Sequence, residues 1–257
     1  MVLETLFLCG MRSISSSIRL TIRRLVRLRR KSLRRRWLDP SRKTPKSSQK
    51  IVRTHFRIFG PSNSPVKDGL AIALDLLHQE PAKILETGSS AWGADSTRLF
   101  AKYVQVFGGN LWSVDNRSEP KKKLGDLGPR VNLEVQDSVK YIEQLGHRYT
   151  DMRLNLVYLD SMDVDWANAL PAAQHGLREW LGVQDLLAPR AVVVIDDTPR
   201  TPDLVPWATP HQIVAIKEFF GKWGLPPGKG TLILRDIQGK KGWNIIHHSY
   251  NLVIQKS

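Results

Sequence analysis

Four apolar runs in this chain each end in a carboxylate. Lys83-Ile84-Leu85-Glu86 leads into Thr87-Gly88-Ser89-Ser90-Ala91-Trp92-Gly93, and about one βα unit later Trp112-Ser113-Val114 ends in Asp115. Further on, Leu156-Val157-Tyr158-Leu159 ends in Asp160, and Ala191-Val192-Val193-Val194-Ile195 ends in Asp196-Asp197. Such runs read as buried strands of a parallel sheet, whose carboxyl ends share the edge where α/β proteins bind ligands. A glycine turn after the first strand lets backbone pass close under a ligand. An acid after the second can hold both hydroxyls of a ribose. The pattern points to a nucleoside pocket.

The later acids add a second kind of chemistry. Asp160, Asp196 and Asp197 converging on one edge repel one another unless something neutralises them. A divalent hard cation with oxygen ligands is the economical solution, and it would bind a substrate hydroxyl and lower its pKa. The spacing from Gly88 to Gly93 is Gly-x-x-x-x-Gly, which does not match the Gly-x-Gly-x-x-Gly fingerprint of dinucleotide binders.

Taken together, these residues resemble a class I S-adenosylmethionine-dependent methyltransferase, most closely its metal-assisted O-methyltransferase branch of catechol-type and sugar enzymes. The resemblance covers roughly residues 63–257. It implies an α/β fold: a doubly wound, mostly parallel seven-stranded sheet with a C-terminal antiparallel hairpin. It further implies that Glu86, Gly88, Ser89 and Gly93 surround the methionine portion of the cofactor and that Asp115 takes the ribose hydroxyls. Asp137 and Ser138 then fall at the adenine amino group, and Asp160 lies beside the sulfonium. Asp160, Asp196 and Asp197 would hold Mg2+. Metal-dependent relatives often carry Lys or His three residues beyond the fourth-strand acid. This chain has Asp163 there, so Asp163 is expected as base or extra ligand, with His175 as the other candidate base. The acceptor would be a hydroxyl on a small molecule of sugar or natural-product type.

The elements needed to position these residues are legible as alternating patterns. A helix is expected over 64–79, followed by strand 83–87, helix 94–106, strand 110–115, strand 131–136, helix 138–146, strand 154–160, helix 166–187, strand 191–196 and helix 210–223. Two closing strands are expected at 231–236 and 244–255, joined by Gly239-Lys240-Lys241-Gly242. The proline-stiffened segment Thr198–Pro210 follows the last acids and reads as a substrate wall, with Arg200 and Trp207 facing an acceptor. Pro226-Pro227-Gly228-Lys229-Gly230 lacks the spacing of a phosphate loop and reads as a turn. His247 and His248 are neighbours on one strand and point to opposite faces.

Charge separates the chain into two parts. Of its 39 Lys and Arg, 16 lie in residues 1–53, against only Glu4 and Asp39, which leaves the body of the chain close to neutral despite a net charge of +15. Residues 1–50 are therefore read as a basic arm and linker, and 51–257 as the methyltransferase-like domain. Residues 12–37 pattern as a basic amphipathic helix suited to an anionic membrane surface; RNA phosphates, a transit peptide and a disordered solubilising arm are the alternatives. No apolar run reaches the roughly 18 residues of a membrane span. Cys9 is the only cysteine, which rules out an intramolecular disulfide and a cysteine-cluster metal site. The expectation is a cytoplasmic protein, peripheral at a membrane. An RNA methyltransferase using the arm is the competing enzyme reading, disfavoured by the neutral body. A non-catalytic, membrane- or assembly-associated module that retains the fold is the competing non-enzymatic one.

Overall fold

A computed structural model describes residues 33, 37, 47–60, 63–90, 94–149 and 151–257. Most of the basic segment 12–37, and Gly93 in the glycine turn, lie outside the described residues. The described elements are α1 (Ser48–Ile58), α2 (Lys67–Asp75), β1 (Ala82–Thr87), α3 (Ser96–Phe107), β2 (Gly109–Asp115), α4 (Ser118–Leu124), β3 (Val131–Val135), α5 (Ser138–Arg148), β4 (Leu154–Leu159), α6 (Leu170–Val183), β5 (Leu187–Ile195), α7 (Pro210–Trp223), α8 (Thr231–Ile237), β6 (Trp243–His248) and β7 (Leu252–Lys256).

The seven strands form one sheet in the order β3-β2-β1-β4-β5-β7-β6. β1 pairs in parallel with β2 and β4, and β5 continues the parallel ladder beside β4. Only β7 runs antiparallel to its neighbours β5 and β6. The strands are apolar on both faces because helices cover both. Along β4, Leu156 and Tyr158 join a core under α1, α2 and α3, while Val157 and Leu159 join a second core under α5, α6 and α8. This period-two division is what a doubly covered parallel strand requires. The chain order reverses direction between β1 and β4, and the site lies at that switch.

The packed body starts earlier than the hydropathy pattern implies. Ser47 caps α1 by accepting from Lys50 N–H, and Ile51, Val52, Phe56 and Ile58 are buried in the first core. Trp37, at the end of the expected basic helix, is also buried there, with Lys102 Nζ 5.3 Å from its ring centre. Residues 48–50, read as linker, belong to α1. No helix among the described residues is long and apolar enough to cross a membrane.

The C-terminal third differs from expectation in one element. Residues 231–237 form a helix, α8, rather than a strand. Ile233, Leu234 and Ile237 make a helical stripe buried against α6, and the Thr231 hydroxyl donates to the carbonyls of Pro226 and Gly228 to start the turn. In a seven-residue stretch, Thr231-Leu232-Ile233-Leu234 satisfies both periods, and tertiary packing decides between them. The antiparallel hairpin is instead made by Trp243–His248 and Leu252–Lys256, joined through Ser249-Tyr250-Asn251. Asn251 anchors that turn by donating to Val66 carbonyl at 3.3 Å.

Candidate active site

The carboxyl ends of β1, β2, β4 and β5 border a cavity of about 730 Å³. Gly88, Ser89 and Ser90 form one wall, Asn116 and Arg117 another, and Asp160 to Val164 a third. Asp196, Asp197, Trp207 and Tyr250 also line it, with the Trp207 and Tyr250 rings edge-on 5.4 Å apart, as do Trp166 and the segment Ser64 to Val66.

The glycine turn is shaped by a close approach. Gly88 has φ +83°, and a Cβ there would lie 2.2 Å from the carbonyl oxygen of Asp160. Only glycine passes at that distance with that backbone. Gly88 N–H donates to Val114 carbonyl at 2.8 Å and Asp160 N–H to Thr87 carbonyl at 2.9 Å, so the exits of β1, β2 and β4 are tied together.

Glu86 lies beneath this turn and not in the cavity. It is fully buried, and the hydroxyls of Ser96, Thr97 and Ser113 donate to it at 2.5 to 2.6 Å. Burial pushes its carboxyl up to about 7 despite those three donors. The sequence places Glu86 against a ligand; the structure gives it the underside of the loop. Asp115 is buried and is bonded to two residues that line the cavity, Ser89 and Arg117. Its Oδ2 accepts from Ser89 N–H at 3.1 Å, and Arg117 donates to both oxygens through Nε at 3.0 Å and Nη2 at 3.1 Å. The Arg117 side chain is 59% exposed, so hydroxyls that bind Asp115 would displace a solvent-facing guanidinium.

Other expected residues are scattered. Asp137 is exposed and caps α5 by accepting from Lys140 N–H at 3.0 Å. Ser138 is buried, its hydroxyl 3.1 Å from His175 Nε2. His175 is further engaged by Arg178 at 3.2 Å and lies 3.5 Å from Glu179. It is tied to the loop after β3 and does not border the acidic cavity, because α6 presents it toward α5. Asp163 does line the cavity and is exposed there, close enough for its charge to act on Arg117. Arg200 is exposed and contributes its backbone N–H to the Ser249 carbonyl.

The acidic cluster forms as expected and contains a residue the sequence reading passed over. Lys229, 2% exposed, is ion-paired with Asp160 and lies 2.8 Å from Asp197 Oδ2. Tyr158 OH donates to Asp196 Oδ2 at 2.6 Å, and Tyr250 OH donates to Asp197 Oδ1. Asp196 Oδ1 is buried and has no hydrogen-bond partner. Burial, then the neighbouring Asp197, push Asp196 up to about 6. Burial alone would push Lys229 down, but Asp160, Asp197 and Asp196 outweigh it and hold the ammonium above the ordinary lysine range.

No protein-family model matches the chain, and no curated protein matches it. Solved structures do. The MycE methyltransferase from the mycinamycin biosynthetic pathway, in complex with Mg and SAH, aligns with a TM-score of 0.50 at 15% identity over 84% of this chain. The same enzyme with Mg, SAH and mycinamycin VI aligns with a TM-score of 0.51 at 17% identity over 84% of this chain. The chain has the class I methyltransferase fold. It spans 55% of the MycE chain in both cases. An O-methyltransferase from Bacillus cereus in complex with SAH aligns with a TM-score of 0.47 at 13% identity, over 83% of this chain and 92% of that one.

Within this methyltransferase fold, the acids do not fit the Mg2+ that the sequence led us to expect. A hard divalent ion takes about six oxygen ligands. Here a lysine ammonium stands between Asp160 and Asp197, and two tyrosine hydroxyls hold further carboxylate oxygens. Among the described residues no group of three or more His, Cys, Asp or Glu is arranged to hold a metal. The clustered acids still need a counter-charge. The chain supplies it from the loop before α8.

Proposed function

We propose that the chain transfers a methyl group from S-adenosylmethionine to a hydroxyl of a small molecule. The observation that carries this reading is the convergence of the Gly88 turn and the Asp160–Asp196–Asp197 edge on one cavity in a methyltransferase fold, with Asp115 bonded to Ser89 and Arg117 in its wall. When bound, the cofactor supplies an electrophilic methyl group on a sulfonium. The backbone of Gly88 to Ser90 and the Asp115 carboxylate would hold it, and the ribose hydroxyls would take the place of Arg117 on Asp115. Asp160, in the wall of the same cavity, would present its carboxyl group toward the sulfonium.

The acceptor hydroxyl has to lose a proton as its oxygen becomes the nucleophile. Asp196 is the residue we assign to take it, because it lines the cavity and its Oδ2 is fixed by Tyr158. A carboxyl pushed up to about 6 is ionised near neutral pH and a stronger base than an ordinary aspartate. Asp163, in the exposed part of the wall, orients polar groups of the acceptor, while His175 has no part in the proton step. Trp207, 53% exposed, and buried Trp166 offer flat apolar faces for an acceptor ring. The near-neutral body favours a small-molecule acceptor over RNA.

Calorimetric titration of S-adenosylmethionine into the protein and into Asp115→Ala tests the cofactor assignment. Saturable binding is expected, weakened about 10- to 100-fold by the substitution, the value of one or two charge-assisted hydrogen bonds. Equal affinities in the two proteins would refute the placement of the ribose.

A further inference from the structure

Lys229 reaches the acidic edge through a loop built to deliver it. Gly228 has φ +126°, and a Cβ on it would lie 1.9 Å from the carbonyl oxygen of Asp197. Lys229 N–H donates to that same carbonyl at 3.2 Å, and Gly230 N–H donates to the Thr198 hydroxyl at 2.9 Å. On the other side, a Cβ on Gly176 of α6 would lie 2.6 Å from the Lys229 carbonyl oxygen. The loop is therefore wedged between the Asp197–Thr198 backbone and α6, and glycines at both contacts make room for it. From this wedge the side chain runs to Asp160 and Asp197 with 3% of its surface exposed. Its ammonium sits behind the carboxylates, and the cavity wall is formed by the acids themselves.

We infer that Lys229 is the resident cation of the acidic edge: its ammonium takes the place of a divalent ion, holds Asp160 and Asp197 in position, and lets the edge work without a metal. A buried lysine can be tolerated when carboxylates pair with it, and a second, divalent cation among the same oxygens would face it at close range. The two tyrosine hydroxyls consolidate the arrangement by holding Asp196 Oδ2 and Asp197 Oδ1. Lys229 is thus a positioning residue that acts through the two aspartates. The consequence for catalysis, turnover that chelators leave intact, rests on the methyl-transfer reading; the exclusion of the metal does not.

Mn2+ titration followed by electron paramagnetic resonance tests the cation directly, with neither cofactor nor acceptor present, so its outcome is separate from the fate of the methyl-transfer proposal. The wild-type protein is expected to leave Mn2+ free, and Lys229→Ala, which removes the cation from between Asp160 and Asp197, to bind one equivalent. A folded Lys229→Ala that ignores Mn2+ would overturn the inference. Should that variant fail to fold, the wild type decides alone. Free Mn2+ supports the resident ammonium, and one bound equivalent that is lost in Asp197→Asn overturns it.

Discussion

Glu86→Gln is the sharpest test of how the glycine turn is held up. Glu86 receives three hydroxyl hydrogen bonds in a fully buried site, and burial still pushes it from 4.5 to about 7. Because the folded state binds this proton more tightly than the unfolded state, its stabilising contribution is complete below pH 4.5 and lost as pH rises through 7. Between pH 5 and pH 8 the loss amounts to about 2.5 kcal/mol by linkage. Glutamine keeps the shape and cannot titrate, and the hydroxyls of Ser96, Thr97 and Ser113 can rotate to suit its amide. Urea unfolding of both proteins at pH 5 and pH 8 isolates the effect, since every other titrating group cancels in the difference. The stability of Glu86→Gln relative to wild type should rise by about 2.5 kcal/mol from the lower to the higher pH. Parallel pH dependences in the two proteins would show that Glu86 carries no buried charge problem and would refute the reasoning.

Three further outcomes follow from the same geometry. Asp196→Asn should slow methyl transfer by about 10²- to 10⁴-fold, the range for a general base, while leaving cofactor affinity within a few-fold; single-turnover rates and calorimetry separate the two. In the wild type the rate should climb as pH rises through about 6, where Asp196 ionises, and the Asn variant should lose that limb. Gly88→Ala forces a Cβ to 2.2 Å from the Asp160 carbonyl oxygen at a φ of +83°, so it should lower the melting temperature and abolish cofactor binding together. Arg117→Ala uncovers Asp115 and should strengthen S-adenosylmethionine binding or leave it unchanged, measured by the same titration, because the cofactor no longer competes with the guanidinium.

The sheet was legible because its strands are strongly marked. β1, β2, β4 and β5 are mainly apolar and are closed by acids, because helices cover both faces of the sheet. The helix at Pro210–Trp223 was equally plain, with Thr209 and Gln212 forming a capping box and proline at its first turn. Helix α8 was not, since seven residues do not separate a helical stripe from an alternating strand. The acids of the site were legible for the same reason as the strands: Asp160, Asp196 and Asp197 sit at strand ends, where chain order fixes position. What a side chain does at such a place depends on neighbours far along the chain. Glu86 turns under its loop because Ser96, Thr97 and Ser113 are there to receive it. His175 is held by Ser138 and so stays away from the acids. Lys229 lies 69 residues from Asp160. Its flanking glycines, Gly228 and Gly230, were the available signal, since a lysine set between two glycines marks a backbone that must squeeze past something to deliver a charge.

The central claim, methyl transfer to oxygen at this acidic edge, is tested most directly by mass spectrometry. The protein would be incubated with methyl-deuterated S-adenosylmethionine and a set of hydroxylated small molecules in the presence of chelator, alongside Asp196→Asn. The account predicts an acceptor that gains a single deuterated methyl group on oxygen, matched by an equal amount of S-adenosylhomocysteine, with the product greatly reduced in the variant. Bound cofactor with no methylated product from any acceptor, or equal product from the two proteins, would contradict it.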